Sequence, residues 1–328
     1  MTTPTVPSPV ATAGAPSADG TRARTLAVTK GHGTQNDFVL LDDRDGELEL
    51  TPALVRQLCD RRAGLGADGV IRLVATQRLG EASAAAPGTT WFMDYRNADG
   101  SVAQMCGNGV RVFARYAHRL GLWDPATGPL DVGTRAGVRT VVTTRAESGD
   151  GPWFTVGMGA VVLPAGAAAL ASGGDAQVDV AGLAVTRPGL SVDVGNPHTV
   201  VVLAQESDLD AVDLTVPPVV EPVPVDGTNV ELVVPLGEMT SADGRVTGRI
   251  RMRVHERGVG ETRSCGTGAV AAAAAVRAWG GPQAPDVWLV DVPGGTVRVT
   301  LHADGRADLA GPAVLVADAT VDLAALPA

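Results

Sequence analysis

Apolar residues follow two different spacings along the chain, and these spacings predict many short strands and a few helices. Runs rich in β-branched and aromatic residues predict strands at 26–29, 38–41, 70–74, 91–97, 137–144, 153–156, 178–185, 199–203, 229–234 and 250–256. Polar residues predict a loop at 31–37, and a low-complexity stretch predicts a surface loop at 164–174. Many strands with interspersed helices indicate an α+β fold.

Three segments have the capping residues or the spacing of a helix. Thr51 is placed as an N-cap with Pro52 at the first helical position, and Gly64 ends that helix. Segment 108–120 is amphipathic, with arginines predicted to lie away from its apolar face: Arg111, Arg115 and Arg119. Segment 268–279 is apolar on nearly every face, which predicts a helix enclosed by its own sheet.

The motif Cys-Gly-x-Gly occurs twice, at Cys106–Gly109 and at Cys265–Gly268, and each copy opens one of the last two helices. The predicted strands before them end at Asn97 and Glu256, each nine positions before its cysteine. Internal repetition of this kind predicts similar structural units. We therefore expect two pseudo-symmetric α+β domains, each a twisted, mostly antiparallel sheet wrapped around a central apolar helix, with the active site in the inter-domain cleft.

The expected domain boundaries follow from this repeat and from composition. Residues 1–24 are mostly Thr, Pro, Ala, Ser and Gly, which predicts a disordered tail and not a signal peptide. Residues 25–155 are predicted to form the N-terminal domain, joined by the C-terminal segment 312–328. Residues 156–311 are predicted to form the C-terminal domain.

Composition and charge narrow the class of partner. The chain has 328 residues, 45% of them hydrophobic, and a formal net charge of −10 with no basic run, which disfavours nucleic acid and anionic membranes as partners. No apolar stretch in the sequence is long enough to cross a bilayer. Three cysteines, an odd number, do not make a disulfide framework. We therefore expect a cytoplasmic protein that acts on a small molecule.

The repeated cysteines predict acid–base chemistry. A cysteine at a helix N-terminus faces backbone N–H groups and the positive end of the helix dipole, so the pKa of Cys106 and of Cys265 is predicted to fall below the ordinary thiol value of about 8.5. Two thiols suit racemisation at a carbon, where one group removes a proton and another delivers one to the opposite face. Glycines at the helix starts let backbone N–H groups approach the substrate carboxylate as it becomes an enediolate: Gly107, Gly109, Gly266 and Gly268.

Other residues divide into those near this chemistry and those with a structural role. His198 lies in a predicted turn with Asn196, where an imidazole is expected to tune a thiol. Cys59 is predicted to be a buried structural thiol. The G-x-G-x-x-G sequence at 64–69 follows a helix and precedes a strand, the reverse of a dinucleotide-binding fingerprint, so it predicts a turn. Without ligand spacing among Cys, His and carboxylates, neither a metal nor a cofactor is expected.

Several motifs, taken in order, resemble those of one family. They are Asn36–Phe38, Asn97–Ser101, Cys106–Gly109, Gly195–His198, Glu256–Gly258 and Cys265–Ala269. Their order and their spread, from about residue 30 to about residue 295, resemble the diaminopimelate epimerases. Gln35 stands where many members carry glycine, and Gly69 where some carry glutamine.

The resemblance implies a two-domain fold, often homodimeric, and a pyridoxal-independent interconversion of LL- and meso-diaminopimelate that serves lysine and peptidoglycan precursor synthesis. It implies that Cys106 and Cys265 are the two bases, that His198 and Glu256 set the protonation of the thiols, and that Glu256 contacts the reacting amino group. The other residues that it assigns to the substrate are Asn36, Asn97, Gly107, Asn108, Asn196, Asn229, Arg257, Gly266 and Thr267. Amides and a guanidinium suit the distal zwitterionic end of the substrate.

Two alternatives stay open at this point. A proline or hydroxyproline racemase has a similar fold and also uses paired cysteines, but a small cyclic imino acid needs no set of asparagines for a distal zwitterion. A non-catalytic ligand-binding relative is the second alternative, and the presence of both cysteines disfavours it.

Overall fold

The computed structural model describes residues 25–147, 151–242 and 244–326, and the predicted tail at 1–24 lies outside them. The chain divides into two compact units. The first contains the residues up to Gly33, Asp37–Thr144 and the segment from Ala313 onwards, and the second contains Thr34–Asn36 and Arg145–Pro312. Each unit is therefore assembled from separate stretches of the chain.

The first unit is a mixed sheet packed around one helix. Its strands are β1 (Thr25–Gly33), β2 (Asn36–Asp42), β3 (Gly69–Ala75), β4 (Trp91–Asn97), β5 (Leu130–Thr134), β6 (Gly137–Thr144) and, from the end of the chain, β18 (Val314–Asp322). They pair in the order β18–β1–β2–β3–β4–β5–β6, with β2–β3 and β4–β5 parallel. Its helices are α1 (Pro52–Cys59) and α2 (Gly107–Arg119), and single 3-10 turns lie at Thr76–Arg78, Gly80–Ala85, Pro125–Thr127 and Leu323–Ala325.

Helix α2 packs against β18, β1, β3, β4, β5 and β6, so strands surround it. The predicted capping of α1 is confirmed, because the Thr51 side chain accepts a hydrogen bond from the Leu54 N–H at 3.2 Å. The predicted extent of α2 is nearly that observed, and Gly121, with φ of 69°, follows its end. Arg111, predicted to lie away from the apolar face of this helix, is completely buried among the surrounding strands.

The second unit repeats this plan. Its strands are β7 (Trp153–Ala160), β8 (Ala176–Asp179), β9 (Arg187–Asp193), β10 (Pro197–Val202), β11 (Val219–Glu221), β12 (Asn229–Thr240), β13 (Val246–Glu256), β14 (Gly260–Thr262), β15 (Val287–Val292), β16 (Gly295–Leu301) and β17 (Arg306–Gly311). The main order is β9–β10–β12–β13–β15–β16–β17–β7, with β10–β12 and β13–β15 parallel. Strand β8 pairs with β9 and β11, and β14 pairs with β13. The helices are α3 (Gly166–Ser172), α4 (Glu206–Ala211) and α5 (Gly266–Gly280).

Helix α5 is enclosed as predicted. It contacts β9, β10, β12, β13, β15, β16 and β17, and almost all of its residues from Gly268 to Val276 are buried. Most of these residues are alanine, so the strands can approach the helix axis closely without leaving cavities. A helix apolar on all faces is stable only in such an enclosed position.

The two units share one local topology around their central helices. In the first, β2 is parallel to β3, β3 is antiparallel to β4, and α2 leads from β4 to the parallel strand β5. In the second, β10, β12, β13, α5 and β15 are related in the same way. The α+β prediction is therefore confirmed, and each central helix is the crossover between two parallel strands of its own sheet.

The predicted polar loop at 31–37 is wrong. Strands β1 and β2 extend into it, and only Thr34 and Gln35 form the turn, with φ of 49° and 63°. Non-glycine residues seldom adopt this left-handed conformation, and for a β-branched threonine it is strained. Neither position of the turn is glycine, so the residue types at 34 and 35 did not predict it.

Two other predicted elements differ from those observed. The strand predicted at 178–185 ends at Asp179, because Gly182 turns the chain with φ of 91°. The predicted surface loop at 164–174 contains helix α3, whose residues are mainly alanine, the strongest helix former.

Candidate active site

Cys106 and Cys265 occupy the same position in the two units, as N-caps of α2 and α5. Cys106 has φ −143° and ψ 118°, and its Sγ accepts a hydrogen bond from the Gly109 N–H at 3.4 Å. Cys265 has φ −111° and ψ 118°, and its Sγ accepts from the Gly268 N–H at 3.3 Å. Sulfur accepts hydrogen bonds weakly, and helix caps are usually Ser, Thr, Asp or Asn. Capping alone therefore does not account for cysteine at both positions.

The last glycine of each motif lies against the sulfur of its own cap. A Cβ at Gly268 would lie 3.2 Å from the Cys265 Sγ and 2.6 Å from the Glu231 Oε1. A Cβ at Gly109 would lie 3.7 Å from the Cys106 Sγ and 3.2 Å from the terminal methyl of Ile71. The absence of a side chain therefore matters more at Gly268, where a buried carboxylate fills the neighbouring space.

The environment of Cys265 opposes ionisation of its thiol. Burial raises the pKa of Cys265 well above its ordinary value, and the negative charges of Glu256 and Glu231 raise it further. The Thr267 hydroxyl, 3.5 Å from Sγ, and the Gly268 N–H act in the opposite direction but do not outweigh burial. The predicted lowering of the pKa is therefore wrong for Cys265, because the helix N-terminus is buried beside two carboxylates.

Glu256 ends β13 close to Cys265. Burial raises the pKa of Glu256, and the charge of Glu231 raises it further, whereas hydrogen bonds with Thr262 and Cys265 act to lower it. The Thr262 hydroxyl donates a hydrogen bond to the Glu256 Oε1. Glu256 and Cys265 thus share one buried, negatively charged environment in which each disfavours ionisation of the other.

A chain of hydrogen bonds leads from the interior of the sheet to Cys265. His198 Nδ1 lies 2.8 Å from the Glu231 Oε1, and His198 Nε2 lies 3.1 Å from the Asn196 Oδ1. The Asn196 amide N–H donates to the Thr267 hydroxyl at 3.4 Å, and that hydroxyl contacts the Cys265 sulfur. The predicted residues Asn196, His198 and Thr267 are therefore connected to Cys265.

Glu231 is the member of this group that sequence reasoning missed. Its signal was present, since it is the one carboxylate in the apolar run 229–234 and lies two positions after Asn229. Residues two apart on a strand point to the same face. An acidic residue that shares a face with a predicted site residue, inside a buried strand, is a candidate for the site.

Asn229 joins the next two predicted residues. Its amide N–H donates to the Pro197 carbonyl at 3.1 Å, and its Oδ1 accepts from the Arg257 backbone N–H at 2.9 Å. The Arg257 guanidinium donates to the Asp226 carbonyl, and Gly227, at φ 69°, leaves room for its side chain. Asn229 therefore holds the turn that carries Arg257 against the start of β10.

Asn36 begins β2 at the tip of the β1–β2 hairpin, which belongs to the second unit. The Thr34 hydroxyl lies 2.7 Å from the buried Ser264 hydroxyl, directly before Cys265. A Cβ at Gly294 would lie 1.8 Å from the Thr34 carbonyl oxygen, so the chain at 294 must be glycine for the tip to fit. These contacts hold the strained turn next to the residue that precedes the thiol.

The first unit holds the remaining predicted residues. Asn97 ends β4, and its amide N–H donates to the Ser101 hydroxyl at 3.0 Å. Gly107 and Asn108 lie in the first turn of α2 after Cys106, and the Asn108 Oδ1 accepts a hydrogen bond from the Arg111 guanidinium. Burial lowers the pKa of Arg111 to about 10, and the charge of Cys106 acts to raise it.

Gly69, at the start of β3, is closely packed. A Cβ there would lie 2.4 Å from the Arg96 carbonyl oxygen and 2.6 Å from the Tyr95 ring. The position therefore accommodates only glycine in this chain.

Two further observations concern ligands and membranes. In the part of the chain that the structure describes, no group of three or more His, Cys, Asp or Glu side chains is placed to hold a metal ion. Within the same residues, no helix is both long and apolar enough to span a bilayer.

Comparison with known proteins gives consistent matches. The family model described as diaminopimelate epimerase matches residues 28–164 and 190–316. A diaminopimelate epimerase from Thermobifida fusca is 50% identical over 309 residues, covering 92% of this chain and 100% of that protein. A diaminopimelate epimerase from Streptomyces coelicolor is 48% identical over 307 residues, covering 91% of this chain and 96% of that protein.

Solved structures with the same fold are more distant in sequence. A phenazine biosynthesis protein from Bacillus anthracis has a TM-score of 0.59 at 16% identity, over 90% of this chain and 99% of that one. A hydroxyproline epimerase from Agrobacterium vitis has a TM-score of 0.57 at 16% identity, over 92% of this chain and 93% of that one. At this identity the likeness concerns the fold alone.

Proposed function

The chain belongs to the diaminopimelate epimerase family, and from this membership we propose that it interconverts LL- and meso-2,6-diaminopimelate with Cys106 and Cys265 as acid and base. The observation that carries the proposal is the equivalence of the two cysteines, each the N-cap of the central helix in one of two units with the same topology. In this reaction one thiolate removes the Cα proton and the other thiol delivers a proton to the opposite face. The roles exchange when the direction reverses.

Proton transfer between positioned groups supplies only part of the rate. General acid–base catalysis contributes roughly 10²- to 10⁴-fold, equivalent to about 3 to 5.5 kcal/mol. The carbanion at Cα needs further stabilisation as its carboxylate becomes an enediolate. The first N–H groups of a helix have no intrahelical acceptor, so the starts of α2 and α5 offer donors for this charge. Each such donor is worth about 2.7 to 4 kcal/mol where it has been removed from other enzymes.

The distal amino acid group is the feature that separates this substrate from proline. We assign its recognition to Asn36, Asn97, Asn196, Asn229 and Arg257. The hydrogen bonds of Asn229 to the turn that carries Arg257 support this assignment, because they fix the backbone from which the guanidinium extends. A guanidinium binds a carboxylate in a bidentate manner, and amides offer both donors and an acceptor to a zwitterion.

His198 and Glu256 are proposed to set the protonation of the thiols, and Glu256 to contact the reacting amino group. The raised pKa of Glu256, caused first by burial, supports a functional role close to Cys265, because perturbed pKa values cluster at functional sites. We also propose that the reaction serves lysine and peptidoglycan precursor synthesis in the cytoplasm, and that the enzyme is a homodimer without a cofactor.

Exchange of solvent deuterium into the substrate tests this proposal. LL-diaminopimelate incubated in D₂O should gain deuterium at one Cα as meso-diaminopimelate forms, whereas L-proline and trans-4-hydroxy-L-proline, incubated in parallel, should gain none. Exchange into the imino acids at a comparable rate would replace the epimerase by the racemase alternative. Exchange into neither class would favour a non-catalytic relative.

A further inference from the structure

Glu231 is a buried carboxylate without an obvious structural reason. It lies in the apolar part of β12, and its side chain and that of His198 are both 0% exposed. Its Oε1 contacts His198, but its Oε2 accepts no hydrogen bond from the residues that the structure describes. Burying a carboxylate with one oxygen unsatisfied is costly. A chain that keeps such a group in a core strand gains something other than stability from it.

The position of Glu231 relative to the thiol suggests what it gains. The Oε1 and the Cys265 Sγ both lie around Gly268, at 2.6 Å and 3.2 Å from the place that a Cβ would occupy there. Gly268 itself contributes no side chain to this place. A path of hydrogen-bond contacts also connects Glu231 to the same sulfur, through His198, Asn196 and Thr267.

We propose that Glu231 is a positioning residue of the epimerisation, which orients His198 with its Nδ1 proton toward the carboxylate and, together with Glu256, keeps Cys265 as a thiol in the resting enzyme. The proposal rests on the proposed function for its catalytic meaning. In that cycle Cys265 begins as the acid: its S–H bond breaks as the new C–H bond forms, and the electron pair of the carbanion receives the proton. The sulfur that remains is a thiolate next to two carboxylates.

The charges around Cys265 come from three strands and one helix. Glu231 extends from β12, Glu256 from β13 and His198 from β10, while Thr267 and the Gly268 N–H belong to α5. The two carboxylates repel a thiolate, and the pKa of Cys265 is raised by burial first and then by these two charges. Glu256 is itself shifted toward its neutral form by burial and by Glu231. The charge of Glu231 therefore acts both on the Cys265 thiol and on the Glu256 carboxyl group.

The orientation of His198 follows from the same contact. An ionised carboxylate only accepts hydrogen bonds, so the nitrogen that faces Glu231 must carry the proton. The Asn196 Oδ1 that faces Nε2 is also an acceptor, because the Asn196 amide N–H donates to Thr267. The connection to Thr267 is therefore complete only when Nε2 carries a proton as well, since an imidazole protonated at Nδ1 alone leaves two acceptors facing each other there.

The first test measures the ionisation of Cys265 directly in the full-length protein. Glu231→Gln removes the charge and keeps the shape, and Glu238→Gln, at the exposed end of the same strand, is the matched control. Iodoacetamide alkylation of each cysteine is followed by peptide mass spectrometry between pH 7 and 10. A neighbouring charge shifts a pKa by about one unit or more. A pKa lower by one unit raises the thiolate fraction about 10-fold, and the lower nucleophilicity of that thiolate offsets part of this gain, so we expect Cys265 in Glu231→Gln to react about 3- to 10-fold faster at pH 8.

The control and a conservative variant decide the interpretation. Glu238→Gln should react like wild type, and Glu231→Asp, which keeps the charge, should stay close to wild type. A folded Glu231→Gln protein in which Cys265 reacts at the wild-type rate overturns the proposal.

The second test needs no variant at position 231 and remains decisive if Glu231→Gln fails to fold. In ¹⁵N-histidine-labelled wild-type protein, the His198 ring signals, identified by their loss in His198→Gln, should show a protonated Nδ1 at neutral pH. An unprotonated Nδ1 would refute the proposal. Neither test uses diaminopimelate, so failure here is distinct from failure of the proposed function, which the deuterium exchange detects.

Discussion

Replacing the last glycine of each cysteine motif by alanine gives a matched pair of perturbations. Gly109 and Gly268 occupy the same helical position after an N-cap cysteine, so both changes should gain the same helix propensity, up to about 1 kcal/mol. What differs is the surroundings of the new methyl group. At 109 it meets the terminal methyl of Ile71 at 3.2 Å, the flexible end of a side chain. At 268 it meets the Glu231 carboxylate at 2.6 Å.

The carboxylate cannot move without breaking its contact with His198. Overpacking a core usually costs about 1 to 3 kcal/mol. Leaving a buried hydrogen-bonding group without its partner costs about 1 to 3 kcal/mol. After the gain in helix propensity, we expect Gly268→Ala to lose about 1 to 3 kcal/mol, and Gly109→Ala to change stability by no more than about 0.5 kcal/mol.

Thermal unfolding followed by circular dichroism measures the difference. For units of this size, 1 kcal/mol corresponds to about 2 to 4 °C in Tm, so Gly268→Ala should unfold about 3 to 10 °C below wild type. Cys265 alkylation in the folded variant should also change, because the methyl group displaces the carboxylate from the sulfur. Equal Tm values for the two alanine variants would refute the reasoning that Glu231 is fixed beside Gly268.

Three further predictions concern the thiols, the substrate clamp and acid stability. Cys106→Ala and Cys265→Ala should each abolish turnover of LL-diaminopimelate. Cys59→Ala, at a buried helix position, should keep most of the wild-type turnover. Substantial activity in Cys106→Ala or in Cys265→Ala would contradict the two-base mechanism. Arg257→Lys keeps the charge but not the bidentate fork, so kcat/KM should fall roughly 10- to 100-fold, about 1.4 to 2.7 kcal/mol, and an unchanged value would argue against its role in the clamp. Asp94 is completely buried among three arginines, and although burial acts to raise its pKa, their charges lower it overall. The contribution of the Asp94 carboxylate to stability is therefore present above the ordinary pKa of about 3.9 and is lost as pH falls through the lowered value. Asp94→Asn should lower the free energy of unfolding, measured in urea at neutral pH, by about 3 kcal/mol or more. A cost near zero would show that the charge of Asp94 does not stabilise the fold.

Local signals account for the elements that the sequence predicts well. Thr51 and Pro52 define the start of α1, and the all-round apolar character of 268–279 predicts the enclosure of α5. These signals depend on residues that are close together in the chain, so they can be recognised without knowledge of the fold. The repeated cysteine motif is also a local signal of this kind, because each copy spans only four residues.

The features that the sequence does not predict depend on strands that are distant in the chain. Arg111 has the spacing of an exposed residue, but strands enclose α2 on that side too, so its side chain is buried. The pKa of Cys265 is raised because burial is combined with charges that β12 and β13 bring to the start of α5. The hydrogen bond from the Gly268 N–H at the helix start, which the motif predicts, lowers the pKa by less than burial raises it.

The two cysteines therefore share a backbone frame but differ in the charges around them. At α2 the buried Arg111 follows the thiol by one turn, and its charge and that of a Cys106 thiolate attract each other. At α5 the corresponding surroundings contain Glu231 and Glu256, which repel a thiolate at Cys265. In the proposed mechanism, which needs one thiolate and one thiol, unequal surroundings give the two sulfurs unequal affinities for the proton. The repeated topology provides two equivalent positions for sulfur, and the buried charges of Glu231 and Glu256 favour the thiol form at Cys265.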